Sequence, residues 1–382
     1  MMKIGFDGKR AIRNMTGLGN YSRFVVESLA STYPESTFTL YSPAAGDSPR
    51  LNGLKKDNIR IVTPGDGGKL SGALWRTWGI TKELKPKGIE LFHGLSNELP
   101  LNIRSSGIPS VVTMHDVIYR RLPHCYNLPD RLIYDFKYGR SARNADRVIA
   151  ISECTKRDVM EFYGVPEERI DVIYQGCDES FLRVPSREEL ERVKQRYSLP
   201  DRFIIQVGTI EWRKNLELTV MALSSLPEEI HLVAVGRDRK GYKTQVMATA
   251  KRLGVASRVH FLEGVGFADL PLLYRMAEVS AYPSRYEGFG IPILEAMSSK
   301  CPVVAATGSC LEEAGGEAAL YINPDDARGL ASAIVAQMGE KRQERIGKGR
   351  EHVKKFSNDT VAEHILKTYI NTINMYNKYP QN

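Results

Sequence analysis

The sequence predicts an α/β protein built from two doubly wound parallel-sheet domains that face one another across a cleft. Three observations carry that expectation. The chain has 382 residues, more than one core usually serves, and ~100–200 residues per domain gives about two domains. Short runs rich in Val and Ile alternate with longer stretches of helical period, the mark of βαβ units on a parallel sheet. This rhythm occurs twice, interrupted by the charged stretch "CDESFLRVPSREELERVKQRYSLPDR", which carries prolines and no strand pattern.

In the first half the expected strands are "KIGF", "FTLYS", "IRIV", "IELFH", "SVVTMH", "RVIAIS" and "DVIYQG". In the second they are "RFIIQVG", "HLVAVG", "RVHFL", "EVSAYPS", "CPVVAAT" and "AALYI". The expected domains are therefore residues 1–178 and 201–356, joined by a linker over 179–200. In the second half the strands run out into Gly208, Gly236, Gly264, Ser284 and Thr307. Open parallel sheets bind ligands beyond the carboxyl ends of their strands, so the site is expected on that rim.

Composition narrows the partners. A formal charge of +8 favours phosphates, nucleotides or an anionic membrane face, but 26% charged residues is ordinary and no basic tail or recognition-helix pattern points to nucleic acid. The cysteines at 125, 154, 177, 301 and 310 are odd in number and form no C-x-x-C pair, which favours reduced, buried thiols in a cytoplasmic protein over disulfides or zinc. The N-terminus enters a strand-like stretch at once, and no apolar run approaches the ~18 residues that span a bilayer. Export and membrane insertion are not expected, which leaves peripheral contact at the inner face of the membrane.

The stretch "RYEGFGIPILEAM" places Glu287 and Glu295 on either side of a glycine turn. Pro292 suits a helix start, so a helix is expected from 291–292 with Glu295 in its first turn. A glycine turn before a helix presents backbone N–H groups and the positive end of the dipole, which suits phosphate or sugar hydroxyls. Carboxylates accept hydrogen bonds from vicinal hydroxyls. A glutamate that complements the helix dipole and another that is merely solvated is the plainer alternative. The loop "NMTGLGNYS" opens another helix; its Gly17-x-Gly19 lacks the third glycine of a dinucleotide fingerprint, and the next strand ends without the acid that holds an adenosine ribose.

"EGFGIPILE" resembles the E-x7-E signature of the family-4 retaining glycosyltransferases, whose fold is GT-B, two Rossmann-like domains. "VGTIEWRKN" (207–215), "LVAVGR" (232–237), "VHFLEGV" (259–265), "YPSRYEGFG" (282–290), "PVVAAT" (302–307) and "LEEAGGEAALYINPDD" (311–326) follow that family's order, as do "TGLGNYSRFV" (16–25), "LFHG" (91–94), "TMHD" (113–116) and "VIAIS" (148–152). The resemblance covers nearly the whole chain.

It implies that Glu295 binds the ribose of a nucleotide sugar and that Glu287 contacts the transferred sugar. The amides of Gly288, Phe289 and Gly290 would hold sugar hydroxyls and phosphate, and Arg213 with Lys214 would clamp the diphosphate beside Gly208. The arginine that often follows this strand's glycine is here Thr209, so Arg213 would reach the phosphate by another route. Gly19 would approach the donor phosphate, Val265 would line the base pocket, and His115 would contact the donor sugar, with Asp116 behind it. His93, at a neighbouring strand end, is a candidate for the acceptor site.

The resemblance also implies retention of anomeric configuration without a metal or other cofactor; Asp325-Asp326 falls in a turn. The helical pattern of 357–379 would cross back to the first domain. The pattern looks most like bacterial mannosyltransferases of surface polysaccharide synthesis, with GDP-mannose the first expectation for the donor and a glycan or lipid-linked acceptor. Residues 74–88 and 119–147 interleave Arg and Lys with aromatic and aliphatic residues, which suits an anionic membrane face as well as ordinary amphipathic helices. The alternatives are a phosphorylase or sucrose- or trehalose-type enzyme acting on soluble sugars, and a non-catalytic sugar-binding relative.

Overall fold

The computed structural model describes residues 1–64, 68–239 and 241–378. The chain divides into two units, Met1–Gly176 with Phe356–Asn382, and Cys177–Lys355. The first contains β1 (Lys3–Asp7), β2 (Thr37–Tyr41), β3 (Ile59–Val62), β4 (Leu91–Gly94), β5 (Ser110–Met114), β6 (Arg147–Ala150) and β7 (Ile170–Val172). All pairs are parallel, in the order β3-β2-β1-β4-β5-β6-β7.

The second unit contains β8 (Phe203–Val207), β9 (His231–Val235), β10 (Val259–Leu262), β11 (Val279–Tyr282), β12 (Val303–Ala306) and β13 (Leu320–Ile322). They form a parallel sheet in the order β10-β9-β8-β11-β12-β13. Each expected strand is present. Strands covered by helices on both faces read as continuous apolar runs, and β8, β11 and β12 are buried along nearly their whole length. The order reverses between β1 and β4 and between β8 and β11, which opens a crevice at the carboxyl edge of each sheet.

The stretch expected to be a linker is not one. Residues 179–200 belong to the second unit, where they form a turn Glu179–Leu182 and a helix Arg187–Arg196 that packs against the helix Leu270–Met276. Ser186 and Glu189 form a reciprocal capping box at its start, and Val193 is its one fully buried side chain. So narrow an apolar face hides the helical period under charge.

The terminal helix Asn358–Lys378 returns to the first unit and lies along the helix Gly17–Thr32; Tyr379 falls outside the described residues. Val361, Ala362, Ile365 and Tyr369 enter the same core as β1 and β2. The Tyr369 hydroxyl is 2.6 Å from Nδ1 of His93, whose Nε2 is 2.8 Å from Thr113 Oγ1, itself 3.2 Å from the Tyr21 hydroxyl. His93 therefore does not line an acceptor site. It is 0% exposed, burial lowers its pKa to about 3, and both ring nitrogens are engaged inside the protein.

This polar chain ties the terminal helix to β4, β5 and the helix after the first glycine loop. Tyr369→Phe strands a buried imidazole nitrogen and should lower the unfolding free energy by about 1–3 kcal/mol in a urea titration. An unchanged midpoint and slope would show that the bond carries no stability.

Candidate active site

The second unit gathers most of the expected residues where β8 and β11 lie side by side. After β8 the chain passes Gly208, at φ +149, and makes a tight turn over Trp212–Lys214. Asn215 closes this turn at φ 59, in the left-handed region, and its side-chain amide donates to the carbonyls of Pro283 (3.1 Å) and Pro324 (2.7 Å). The Arg285 amide donates to the Arg213 carbonyl at 2.9 Å. The loop after β8 is thus sewn to the loop after β11, and the side chains of Arg213 and Lys214 turn inward.

There they meet Glu287. Arg213 Nη1 lies 2.8 Å from Glu287 Oε2 and 2.7 Å from the Tyr286 carbonyl, and Nη2 lies 2.8 Å from Glu211. Lys214 Nζ lies 2.6 Å from Glu287 Oε1 and donates to the Tyr282 hydroxyl at 2.8 Å. Arg213, Lys214 and Glu287 keep only 12%, 14% and 10% of their side-chain surface exposed, so the basic pair is no solvated helix start. Burial opposes ionising Glu287, but the two cations prevail and lower its pKa to about 2. The Lys214 ammonium is pulled below its usual value, chiefly by burial.

The glycine turn follows. Phe289 is 3% exposed, its side chain in the core, and Gly290 sits at φ +134 with Ala314 and Leu311 about where a Cβ would press. The Cys310 thiol approaches the carbonyls of Glu287 (3.1 Å) and Phe289 (2.8 Å) from beneath. The helix Ile291–Ser298 then begins with proline in its first turn and no side-chain cap. Its amino end, with Gly288, is a place where an anion or hydroxyl could bind. Glu295 is the fifth residue of this helix, not in the first turn as expected, so it does not complement the dipole. It accepts from the Tyr274 hydroxyl at 3.1 Å, and burial, with Asp178 nearby, raises its pKa to about 7.

Val265 lies partly exposed in the loop after β10. A concavity of about 100 Å³ in this unit, lined by Arg183, Pro271 and Arg275 among others, contains none of the expected residues.

In the first unit His115 follows β5 and is 4% exposed. Its Nε2 is 2.9 Å from the Leu95 carbonyl, an obligate acceptor, so Nε2 carries the proton and Nδ1 accepts from Gln175 Nε2 at 3.2 Å. Burial lowers its pKa to about 4, and the Tyr21 ring meets it edge-on at 4.6 Å. A neutral imidazole held on both nitrogens suits contact and shape better than proton transfer. Asp116 caps the next turn by accepting from the Ile118 amide at 3.2 Å. Gly19 has an internal reason to be glycine: a Cβ there would come within 1.7 Å of the Asn14 carbonyl oxygen. Of the cysteines, all free, 154, 301 and 310 are buried as expected, while 125 and 177 are partly exposed.

Sequence reasoning missed Tyr274, Tyr282, Gln175, Glu211 and Cys310. Glu211 carried a local signal, two residues before Arg213; the others meet their partners only through the fold.

Residues 187–352 match the family described as Glycosyl transferases group 1, and residues 22–181 match Glycosyltransferase Family 4. The chain is 28% identical over 393 aligned residues to O-antigen chain mannosyltransferase B of Escherichia coli, covering 96% of this chain and 99% of that protein. It is 27% identical over 228 residues to mannosylfructose-phosphate synthase of Agrobacterium fabrum, covering 57% and 50%. The solved structure of Anabaena Alr3699/HepE in complex with UDP-glucose superposes with a TM-score of 0.76 over 97% of this chain and 100% of that one, at 20% identity, a likeness of fold.

Glu287→Gln leaves two buried cations sharing a neutral amide and should destabilise the protein by about 3–5 kcal/mol in chemical denaturation; a loss below about 1 kcal/mol would mean that Glu211 and Tyr282 suffice. Glu295 behaves in the opposite sense. Its folded pKa lies above the ordinary 4.5, so its contribution to stability is present below 4.5 and lost as pH rises through about 7. Glu295→Gln should therefore melt with the wild type at pH 4 and above it at pH 8, and a gap of equal size at both would refute the shift.

Proposed function

On the premise that this chain belongs to the family-4, group 1 glycosyltransferases of GT-B fold, we propose that it moves a hexose, mannose in the first instance, from a nucleotide-diphosphate sugar to a glycan or lipid-linked acceptor with retention. The observation that carries this reading is the Arg213–Glu287–Lys214 cluster, set beside the uncapped start of the helix Ile291–Ser298. Two cations held by a buried carboxylate are already oriented before a substrate arrives.

The bond to be cleaved joins an anomeric carbon to a phosphate oxygen. As it breaks, the electron pair leaves with the diphosphate while the sugar becomes oxocarbenium-like. Fixed cations at the phosphate then stabilise the transition state more than the ground state. Lys214 has three N–H donors, of which Tyr282 and Glu287 take two, so one remains for a phosphate oxygen. In the proposed front-face route the acceptor oxygen attacks from the side on which the diphosphate departs, and the acceptor's proton passes to that phosphate. Arg213 and Lys214 supply the charge a divalent metal would otherwise bring, and no cofactor enters.

The second unit takes the donor: Gly208, Arg213 and Lys214 at the diphosphate, Gly288, Phe289 and Gly290 with Glu287 at the sugar, Glu295 at the ribose and Val265 near the base. Glu287 still has a second lone pair on each oxygen for a sugar hydroxyl. Whole-length similarity to an O-antigen mannosyltransferase supports GDP-mannose and an acceptor of surface polysaccharide assembly. Partial similarity to a mannosylfructose-phosphate synthase supports a second reading, transfer to a soluble sugar phosphate.

Among the described residues no helix is long and apolar enough to cross a membrane. A peripheral seat on an anionic inner leaflet is supported by the helix Leu128–Asn144, whose Leu128, Leu132, Ile133 and Phe136 are 61%, 62%, 50% and 59% exposed, followed by exposed Arg140.

Calorimetric titration with GDP-mannose, UDP-glucose, UDP-N-acetylglucosamine and dTDP-rhamnose should show GDP-mannose bound best. Glu295→Ala should weaken that binding at least tenfold. Lys214→Ala should keep binding within a few-fold and lower turnover by ~10²–10³. Normal transfer by both variants would end this reading.

A further inference from the structure

The carboxyl edge of the first unit's sheet holds an imbalance of charge outside the residues considered so far. β1 ends at Asp7, 2% exposed, and the chain then makes Gly8 and a short helix Lys9–Arg13. Both oxygens of Asp7 accept from Arg76 Nε, at 3.0 and 2.9 Å, and Oδ1 also accepts from the Lys9 backbone amide at 3.2 Å. Arg76 Nη1 reaches on to Glu98 at 2.8 Å, and Lys137 lies 3.6 Å from the same carboxylate oxygen. Arg76 and Lys137 thus claim both acids of this cluster.

Lys9 and Arg10 are left over. Both are partly buried, and among the described residues neither side chain lies within ion-pair distance of a carboxylate or makes a hydrogen bond. Lys9 is close enough to the network for burial, and after it Arg76, to pull its ammonium below the usual value. Arg10 stands close enough to His115 to add to the burial that lowers that imidazole. Asp7 and Glu98 act on the Lys9 ammonium only from a distance, so an ammonium and a guanidinium give up part of their hydration for no ion pair or hydrogen bond of their own, a standing cost to the fold. Their place is the strand-order switch beside β4, where an open parallel sheet presents its ligand crevice.

We infer that Lys9 and Arg10 form a phosphate-binding subsite for the acceptor at the carboxyl edge of the seven-stranded sheet. This rests on the transferase reading above and adds to it an acceptor that carries a phosphate or diphosphate close to His115. Arg10 offers a planar fork of donors and Lys9 a mobile point charge, a pair that suits a non-bridging oxygen pair on tetrahedral phosphorus. A lipid diphosphate and a soluble sugar phosphate share this chemistry.

The test uses the full chain with the donor site filled by saturating GDP, and inorganic pyrophosphate as the probe in calorimetric titration. Separate titration of GDP alone reports on the donor reading, so failure of one is distinguishable from failure of the other. Pyrophosphate should bind to the GDP complex, and the Lys9→Gln, Arg10→Gln double variant should weaken it at least tenfold with GDP affinity unchanged. The same variant should raise the KM for a phosphorylated acceptor with kcat within about twofold, and melt no lower than wild type. Competition by geranyl diphosphate assigns a lipid acceptor, and competition by mannose 6-phosphate a soluble one. Either supports the subsite; competition by neither, equal pyrophosphate binding by the double variant, or a matching loss of GDP affinity would overturn it.

Discussion

The second unit is organised around one carboxylate shared by two cations. Glu287 could not stay ionised among Phe289, Cys310 and Tyr282 by itself, and Arg213 and Lys214 could not be drawn inward without it. Bringing the three together requires two loops, one after each of the adjacent strands β8 and β11, to approach closely. The positive φ of Gly208 and Asn215, the Asn215 amide across to Pro283 and the Arg285 amide onto the Arg213 carbonyl are the means. The strained backbone and the charged cluster depend on each other. The cluster holds the loops in place, and the loops keep water from competing for the ion pairs.

Eight positions further on, the same residue type finds the opposite surroundings. Glu295 has one phenol to donate to it and an aspartate nearby, so burial dominates and its pKa rises to about 7, whereas cations lower that of Glu287 to about 2. Residues that bracket one glycine turn thus differ in charge near neutral pH. Glu287 is a fixed anion that orients cations. Glu295 sits at the threshold of ionisation, where a ligand that donates to it, as ribose hydroxyls do, would stabilise the carboxylate and draw the proton off.

Fold was legible because it rests on local pattern: the strands are short, central ones such as β8, β9 and β12 carry Val or Ile and are largely buried, and turn residues follow them at the sheet edge. The helix Arg187–Arg196 was not, since its contact with the unit is almost one valine wide and its caps read as loop. His93 and His115 show why site assignment is harder. Both follow apolar strand residues and look alike in sequence. Tyr369, 276 residues away in the chain, covers one and makes it core, whereas the other is held by Leu95 and Gln175. Glu287 and Lys214 each stood out in the sequence but not as partners, because nothing local records that β8 and β11 are neighbours. Gly19 was expected to make room for a ligand, and the structure supplies a nearer cause in the Asn14 carbonyl.

The two units treat charge differently, and the difference bears on how a transferase of this kind divides its work. At the β8–β11 edge Arg213 and Lys214 are matched by Glu211 and Glu287, so the formal charges balance, and what such a site would offer a phosphate is direction. Preset donors lose little entropy on binding and need no reorganisation as charge develops, which is where a leaving diphosphate gains most. At the β1–β4 edge the acids are consumed by Arg76 and Lys137, and Lys9 and Arg10 stay unmatched, so what that surface offers is field. A field attracts an anion from a distance and tolerates imprecise placement, which is what a group remote from the reacting oxygen requires. On the proposed function, matched cations would serve where a bond breaks, and unmatched ones where a substrate is only held.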